Sequence, residues 1–101
     1  MVNYTVYLSD ESKKDIYTLT NVIMYEYKAP ATAFKYIQGL LDTILSLEQT
    51  AEAFPLQSHR FFLKYGQYVR RINYKRMAII YTVYGSTVYI HRVMPAASIS
   101  E

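Results

Sequence analysis

The chain has 101 residues, of which 51% are apolar and 19% are charged, and we expect a single globular domain over residues 1–101. It contains no cysteine, which excludes disulfides and thiolate metal sites, and its two histidines stand apart from other ligand residues. We therefore expect neither a metal nor a cofactor. The N-terminal segment lacks the basic and apolar regions of a signal peptide, and no apolar run is long enough to cross a bilayer. These features predict a cytoplasmic protein without membrane contact.

The net charge of +3 is unevenly distributed along the chain. Residues 1–52 carry seven acids and four lysines, whereas residues 53–100 carry seven lysines and arginines and no acid. Such an unneutralised basic stretch indicates a surface that binds a polyanion. Six of the twelve tyrosines lie in the same stretch, where their rings either stack on unpaired bases or pack within strands. The cations of this stretch are Arg60, Lys64, Arg70, Arg71, Lys75, Arg76 and Arg92.

The first half of the sequence predicts one strand followed by two helices. Residues 3–8 alternate between polar and apolar and predict a strand. Ser9 or the next residue is a suitable helix N-cap, and apolar residues then recur at three- and four-residue steps to about Lys28. Pro30 separates this helix from a second one, and the short connection predicts an antiparallel helix hairpin. The apolar stripe assigned to the second helix consists of Phe34, Ile37, Leu41, Ile44 and Leu47.

The second half of the sequence predicts three strands joined by tight turns. Residues 77–83 are nearly all apolar, which is typical of a central strand buried on both faces. Consecutive strands joined by short turns form an antiparallel meander. The complete order, β-αα-βββ, predicts an α+β fold in which a helix hairpin packs on a small sheet. The predicted strands are 68–74, 77–83 and 87–93, with turns at 75–76 and 84–86.

The residues exclude several kinds of catalytic site. The three glycines are isolated, so the sequence has no glycine-rich phosphate loop. Neither histidine has an acid nearby in sequence to orient it, and the acids that begin the first helix are typical of solvated helix-start charges. RNA cleavage by attack of the 2′-hydroxyl remains open, because cations, tyrosines and a histidine can supply its proton transfers and charge stabilisation. His91 is the acid–base candidate, and the alternative is a strand histidine that only packs.

Short segments along the whole chain carry a family resemblance. In order, they are Tyr4-x-Val6-x-Leu8-Ser9, Lys13-Lys14-Asp15-Ile16, a Leu40…Ile44-x-x-Leu47 helix before Pro55, Tyr68-Val69-Arg70-Arg71-Ile72-Asn73-Tyr74, Ile79-Ile80-Tyr81-x-Val83 and Val88-Tyr89-Ile90-His91-Arg92-Val93. Together they resemble the RelE/ParE superfamily of bacterial toxins, whose β-αα-βββ fold agrees with the order predicted above. The resemblance implies the toxin of a type II toxin–antitoxin module of the plasmid-stabilisation kind. Such a toxin inhibits growth and is neutralised by a cognate antitoxin in a hetero-oligomer.

The superfamily contains toxins with two different activities. RelE-type toxins cut mRNA in the ribosomal A site, whereas ParE-type toxins inhibit DNA gyrase without being nucleases. The RelE-type site has two basic positions on the first meander strand, which correspond here to Val69 and Arg71. Its arginine on the next strand corresponds to Ala78, for which Arg76 is the nearest substitute. The RelE-type arginine and tyrosine after the last strand have no counterpart in residues 94–101, so the resemblance is closer to the ParE-like branch.

These observations leave three hypotheses about function. The first is a toxin that inhibits DNA gyrase through its basic surface. The second is a ribosome-dependent mRNA endoribonuclease in which Arg71 and Arg76 stabilise the phosphate and His91 or a tyrosine moves protons. The third is a non-toxic relative that retains only antitoxin or nucleic-acid binding. The target-binding basic surface of the first hypothesis consists of Arg70, Arg71, Lys75, Arg76 and Arg92.

Overall fold

A computed structural model describes residues 3–99, which form one four-stranded sheet and a helix hairpin. The elements are β1 (Thr5–Leu8), α1 (Asp10–Asn21), α2 (Pro30–Thr50), β2 (Arg70–Tyr74), β3 (Met77–Tyr84) and β4 (Thr87–Pro95). The strand order across the sheet is β1-β4-β3-β2, with β1 parallel to β4 and the other two pairs antiparallel. The predicted β-αα-βββ order, the α+β class and the C-terminal meander are therefore confirmed.

The first helix begins where the sequence predicts it but ends differently. The Ser9 hydroxyl accepts a hydrogen bond from the backbone N–H of Ser12 at 3.0 Å and so caps α1. The α-helical pattern does not continue to Lys28, because α1 widens into a π-helical segment, Val22–Glu26. Pro30 then opens α2, at a position where its missing N–H costs no helical hydrogen bond. Among the described residues, no helix is both long and apolar enough to cross a membrane.

The main core lies between the helix hairpin and one face of the sheet, and one prediction about it is wrong. The apolar stripe of α2 predicts that Phe34 and Leu41 face the sheet, yet their side chains are 70% and 37% exposed. Apolar residues cover much of the α2 circumference, so periodicity alone does not define which of them face the sheet. The stripe that is buried in the structure consists of Ala33, Leu40, Ile44 and Leu47.

The opposite face of the sheet is covered in part by the connection between α2 and β2. This connection contains a short 3-10 helix, Arg60–Tyr65, whose Phe62 is buried against the sheet. Phe62 packs with Ala78 and Ile80 of β3 in a second, smaller cluster. Because β3 contributes alternate residues to both clusters, it is buried on both faces, as its apolar sequence predicts. The remaining buried members of the second cluster are Val69 and Ile99.

The closest contact between the hairpin and β2 occurs at Gly39. The Tyr74 hydroxyl donates a hydrogen bond to the carbonyl of Tyr36 at 3.0 Å, and its ring passes directly over Gly39. A Cβ at position 39 would lie 2.2 Å from the Tyr74 hydroxyl oxygen and 2.9 Å from Cζ. Glycine is therefore required here by space, although alanine is the better helix former.

We expect Gly39→Ala to destabilise the fold by about 1–3 kcal/mol, because the Tyr74 ring must shift and lose its hydrogen bond. Urea denaturation followed by circular dichroism measures this change. In a Tyr74→Ala background the clash is absent, and Gly39→Ala should then be neutral or stabilising through its helix propensity. Equal effects in the two backgrounds would contradict the packing argument.

Candidate functional site

The predicted basic residues begin on β2, the outermost strand of the sheet, where Arg70 faces the helix hairpin. Its Nη1 atom donates hydrogen bonds to the backbone carbonyls of Glu52, at 3.2 Å, and Phe54. Both carbonyls belong to the turn that directly follows α2. Arg70 therefore joins the end of α2 to β2.

Arg71 points to the opposite face of the sheet from Arg70. Its Nε atom donates a hydrogen bond to the Asn73 side-chain oxygen at 2.9 Å, and the two residues stand side by side on this face of β2. Arg71 pairs in register with Ile80 of β3, at the border of the second hydrophobic cluster. Its guanidinium is partly exposed and is bonded to an amide rather than to an acid.

The two residues after β2 form the predicted tight turn to β3, which the pairing of Tyr74 with Met77 confirms. Lys75 has a φ of 52°, and its Nζ atom lies 5.4 Å from the ring centroid of Tyr36 and 5.7 Å from that of Tyr74. These cation–π contacts hold the ammonium at the corner of the sheet. Arg76 follows with an exposed side chain. We refer to Arg71, Lys75 and Arg76 as the β2-edge cations.

Arg92 lies on β4, away from this corner, in an ion pair with Asp15 of α1. Its Nε and Nη2 atoms are 2.7 Å and 3.0 Å from the two carboxylate oxygens of Asp15. The backbone N–H of Val93 also donates to Asp15, at 2.9 Å. The hydrogen bond to Asp15 raises the pKa of Arg92 further above its ordinary value, so the guanidinium stays charged. Asp15 thereby accepts a hydrogen bond from the backbone of β4 at a position where β1 no longer pairs with that strand.

His91 is the extra residue of a β-bulge in β4, since Ile80 pairs with Arg92 and Tyr81 pairs with Ile90. Its Nε2 atom is hydrogen bonded to the Thr82 hydroxyl at 2.8 Å, and its ring centroid lies 5.6 Å from that of Tyr65. Burial lowers the pKa of His91, which keeps the imidazole neutral at pH 7. The contacts are those of a packed, hydrogen-bonded strand histidine.

The structure does not gather all the predicted residues into one site. Arg71 and His91 lie on the same face of the sheet, but β3 stands between their strands, which places their backbones about 10 Å apart. The side chain of Ile80, fully buried within the second cluster, occupies the face between them. The β2-edge cations are neighbours in the chain, on β2 and in the turn that follows it, with Arg71 on the sheet face opposite the hairpin and Lys75 beside Tyr36 of α2. Within residues 3–99, no group of three His, Asp or Glu side chains could hold a metal ion.

The helix hairpin carries an apolar groove, the kind of surface that suits an antitoxin segment, and Phe34 and Leu41 line this groove instead of facing the sheet. The groove has a volume of about 310 Å³ and lies between the π-helical segment and α2. The exposed apolar residues of α2 are the signal that could have revealed it. Its walls include Met24, Pro30, Phe34, Ile37 and Leu41.

Comparison with known proteins finds a solved structure of similar architecture. No protein-family model and no curated protein sequence matches the chain. Among solved structures, a "Chromosomal ParDE TA system from P. aeruginosa" matches with a TM-score of 0.69 and 15% sequence identity, covering 91% of this chain and 95% of that one. At this level of identity the match reports the fold. The chain adopts a ParE-like fold.

Proposed function

We propose that this protein is the toxin of a type II toxin–antitoxin module and that it inhibits DNA gyrase by binding, without catalysing a reaction. The fold likeness to a ParDE system over 91% of the chain supports the toxin role. The sequence resemblance to the ParE-like branch supports gyrase as the target. On this proposal residues 1–101 act as a single toxin domain.

The observation that carries the proposal is the separation of the β2-edge cations from His91, the acid–base candidate. Phosphodiester cleavage needs a base, an acid and positive charge within reach of one phosphate. The β2-edge cations supply positive charge, but the half-buried His91 lies beyond β3 and is held by Thr82. The guanidinium of Arg92 is already hydrogen bonded to the carboxylate of Asp15. The β2-edge cations are therefore suited to bind an anionic surface rather than to cleave a phosphodiester.

The hairpin groove is the proposed docking site of the antitoxin. Phe34 and Leu41 expose apolar surface beside it, and the lysines Lys28 and Lys35 lie in the same part of the chain. An amphipathic helix with an apolar stripe and acidic flanks is complementary to such a groove. The resulting toxin–antitoxin hetero-oligomer would keep the toxin inactive.

A second candidate, the ribosome-dependent mRNA endoribonuclease, is favoured by one observation. His91 and Tyr65 lie together on the same sheet face as Arg71, and both residue types can transfer protons. If this activity operates, His91→Gln should abolish toxicity, whereas a gyrase inhibitor should tolerate the substitution.

The test is to induce the chain without its antitoxin and to pulse-label nascent DNA and nascent protein during the first minutes. We expect DNA synthesis to fall first, both in the original protein and in His91→Gln, and purified gyrase to be inhibited by the protein. Protein synthesis falling first, with loss of the effect in His91→Gln, would instead establish the nuclease. If neither synthesis falls, the toxin proposal is wrong and the protein retains binding only.

A further inference from the structure

The sheet face opposite the helix hairpin is covered over β2 and β3 but carries exposed tyrosines toward β1. Tyr7 of β1 is 55% exposed, Tyr89 of β4 is 37% exposed and Tyr84 at the end of β3 is 81% exposed. Their neighbours along each strand pack against the main core, so strand alternation places all three side chains on this outer face. We refer to these three residues as the tyrosine face.

The strand register brings the three rings close to one another. Tyr7 pairs directly with Tyr89, and their ring centroids are 5.8 Å apart in an edge-to-face arrangement. Tyr84 pairs with Thr87, two residues before Tyr89, and is therefore the diagonal neighbour of Tyr89, about 7–8 Å away. Aromatic surface is thus presented across three adjacent strands.

A second aromatic pair, accompanied by a cation, lies on the same sheet face as the tyrosine face. Tyr89 pairs with Thr82, whose hydroxyl is bonded to His91, and the His91 ring lies 5.6 Å from that of Tyr65. The Nζ atom of Lys64 stands 5.6 Å from the Tyr65 ring centroid. Stacking surface and positive charge therefore occur side by side.

The distribution of charge distinguishes this face from the helix side of the molecule. Among the described residues, every acid lies on α1, on the π-helical segment, on α2 or, for Glu52, just after α2. The strands and the 3-10 segment that build the outer face contribute cations and no acid from residue 53 onward. The absence of acids from this part of the sheet consequently favours an anionic ligand on this face.

We propose that the tyrosine face binds single-stranded DNA, with unpaired bases stacked on the rings and the phosphate backbone running toward Lys64. Aromatic rings next to cations bind single strands because every base offers a π-face, which a duplex keeps inside its stack. The exposure of the rings argues against a role in packing the core. The choice of DNA over RNA rests on the proposed function, inhibition of gyrase. The argument that the rings stack on unpaired bases is independent of that function.

The probe is a fluorescent oligothymidylate of about 12 nucleotides, compared by anisotropy at low salt with oligouridylate and with a duplex of equal length. We expect the original protein to bind oligothymidylate better than either. Removal of one stacked ring costs about 5- to 150-fold in affinity, so Tyr7→Ala combined with Tyr89→Ala should abolish measurable binding. Tyr7→Phe with Tyr89→Phe keeps both rings and should bind as the original protein does.

Tyr17→Ala combined with Tyr25→Ala provides the matched control, because both side chains are 70% exposed but lie on the hairpin side. This control should keep full binding. Equal binding by the Tyr7 and Tyr89 alanine variant, or equal binding of the duplex, would overturn the proposal, since charge alone would then explain it. Tighter binding of oligouridylate than of oligothymidylate would contradict the proposal that the ligand is DNA. Gyrase inhibition is measured in a separate assay. If the protein does not inhibit gyrase, the oligonucleotide-binding experiment still tests the proposed binding face.

Discussion

Growth arrest should be lost when Arg71 and Arg76 are both replaced by alanine. Each hydrogen-bonded contact of a charged group contributes about 1.5–3 kcal/mol, so removal of two should weaken target binding by about 100-fold to 10,000-fold. The measurement is colony formation after induction of the chain without antitoxin, together with inhibition of purified gyrase. Both should be lost in the double variant.

This double variant should fold normally. The only polar partner that the structure gives the Arg71 side chain is the neighbouring Asn73, and Arg76 is exposed, so the stability change is expected to stay within about 0.5 kcal/mol. Lys13→Ala with Lys14→Ala is the matched control: it removes the same charge from exposed positions on α1 and should leave toxicity unchanged. Survival of toxicity in a well-folded Arg71 and Arg76 variant would refute the proposed target surface.

Arg70 and Arg92 belong to the predicted basic surface but are unsuitable for this test. Arg70 holds the carbonyls beyond α2, and Arg92 is bonded to a partly buried Asp15. Removing either would leave backbone or carboxylate oxygens without their partner and would destabilise the protein. A loss of toxicity would then report unfolding as readily as a lost contact, so the proposal of a target surface rests on the β2-edge cations.

The sequence was sufficient to predict the order of elements because each has a local signature. Ser9 caps α1, Pro30 opens α2, and the apolar run of β3 requires a strand covered on both faces. The turn at Lys75 follows from two polar residues between two strand patterns. These features depend on residues close together in the chain, and the fold places them as predicted.

Features that depend on distant residues could not be predicted. Asp15 and Arg92 are separated by 77 positions, so their pairing has no local signal. The bulge at His91 depends on how β4 pairs with β3, and sequence alternation alone does not reveal it. The exposure of Phe34 follows from how α2 is rotated on the sheet, a property of tertiary packing. The sequence accordingly predicts a list of cations, and tertiary contacts determine which of them, Arg70 and Arg92, are hydrogen bonded within the fold.

The largest expected loss of stability comes from Tyr81, whose fully buried side chain lies in the main core. Its hydroxyl donates a hydrogen bond to the carbonyl of Ala51 at 2.6 Å, at the end of α2. Tyr81→Ala should cost about 3–5 kcal/mol through lost contacts and a cavity, a large part of the 5–15 kcal/mol typical of a domain. Tyr81→Phe removes only the hydroxyl and should cost about 1–2 kcal/mol.

The pH dependence of unfolding provides an independent readout of the same residue. Burial raises the pKa of Tyr81 to about 12, whereas an unfolded tyrosine titrates near 10. The unfolded chain therefore loses this proton first, and the free energy of unfolding should fall by up to about 3 kcal/mol as the pH rises from 10 to 12. Tyr81→Phe should lessen that slope, measured by urea denaturation at each pH.

Tyr84→Phe and Tyr84→Ala serve as controls on the same strand, because that side chain is 81% exposed and should change stability by less than about 0.5 kcal/mol. If Tyr81→Phe kept the full slope above pH 10, or if Tyr81→Ala cost no more than Tyr84→Ala, the hydroxyl would not be the contact that joins β3 to α2.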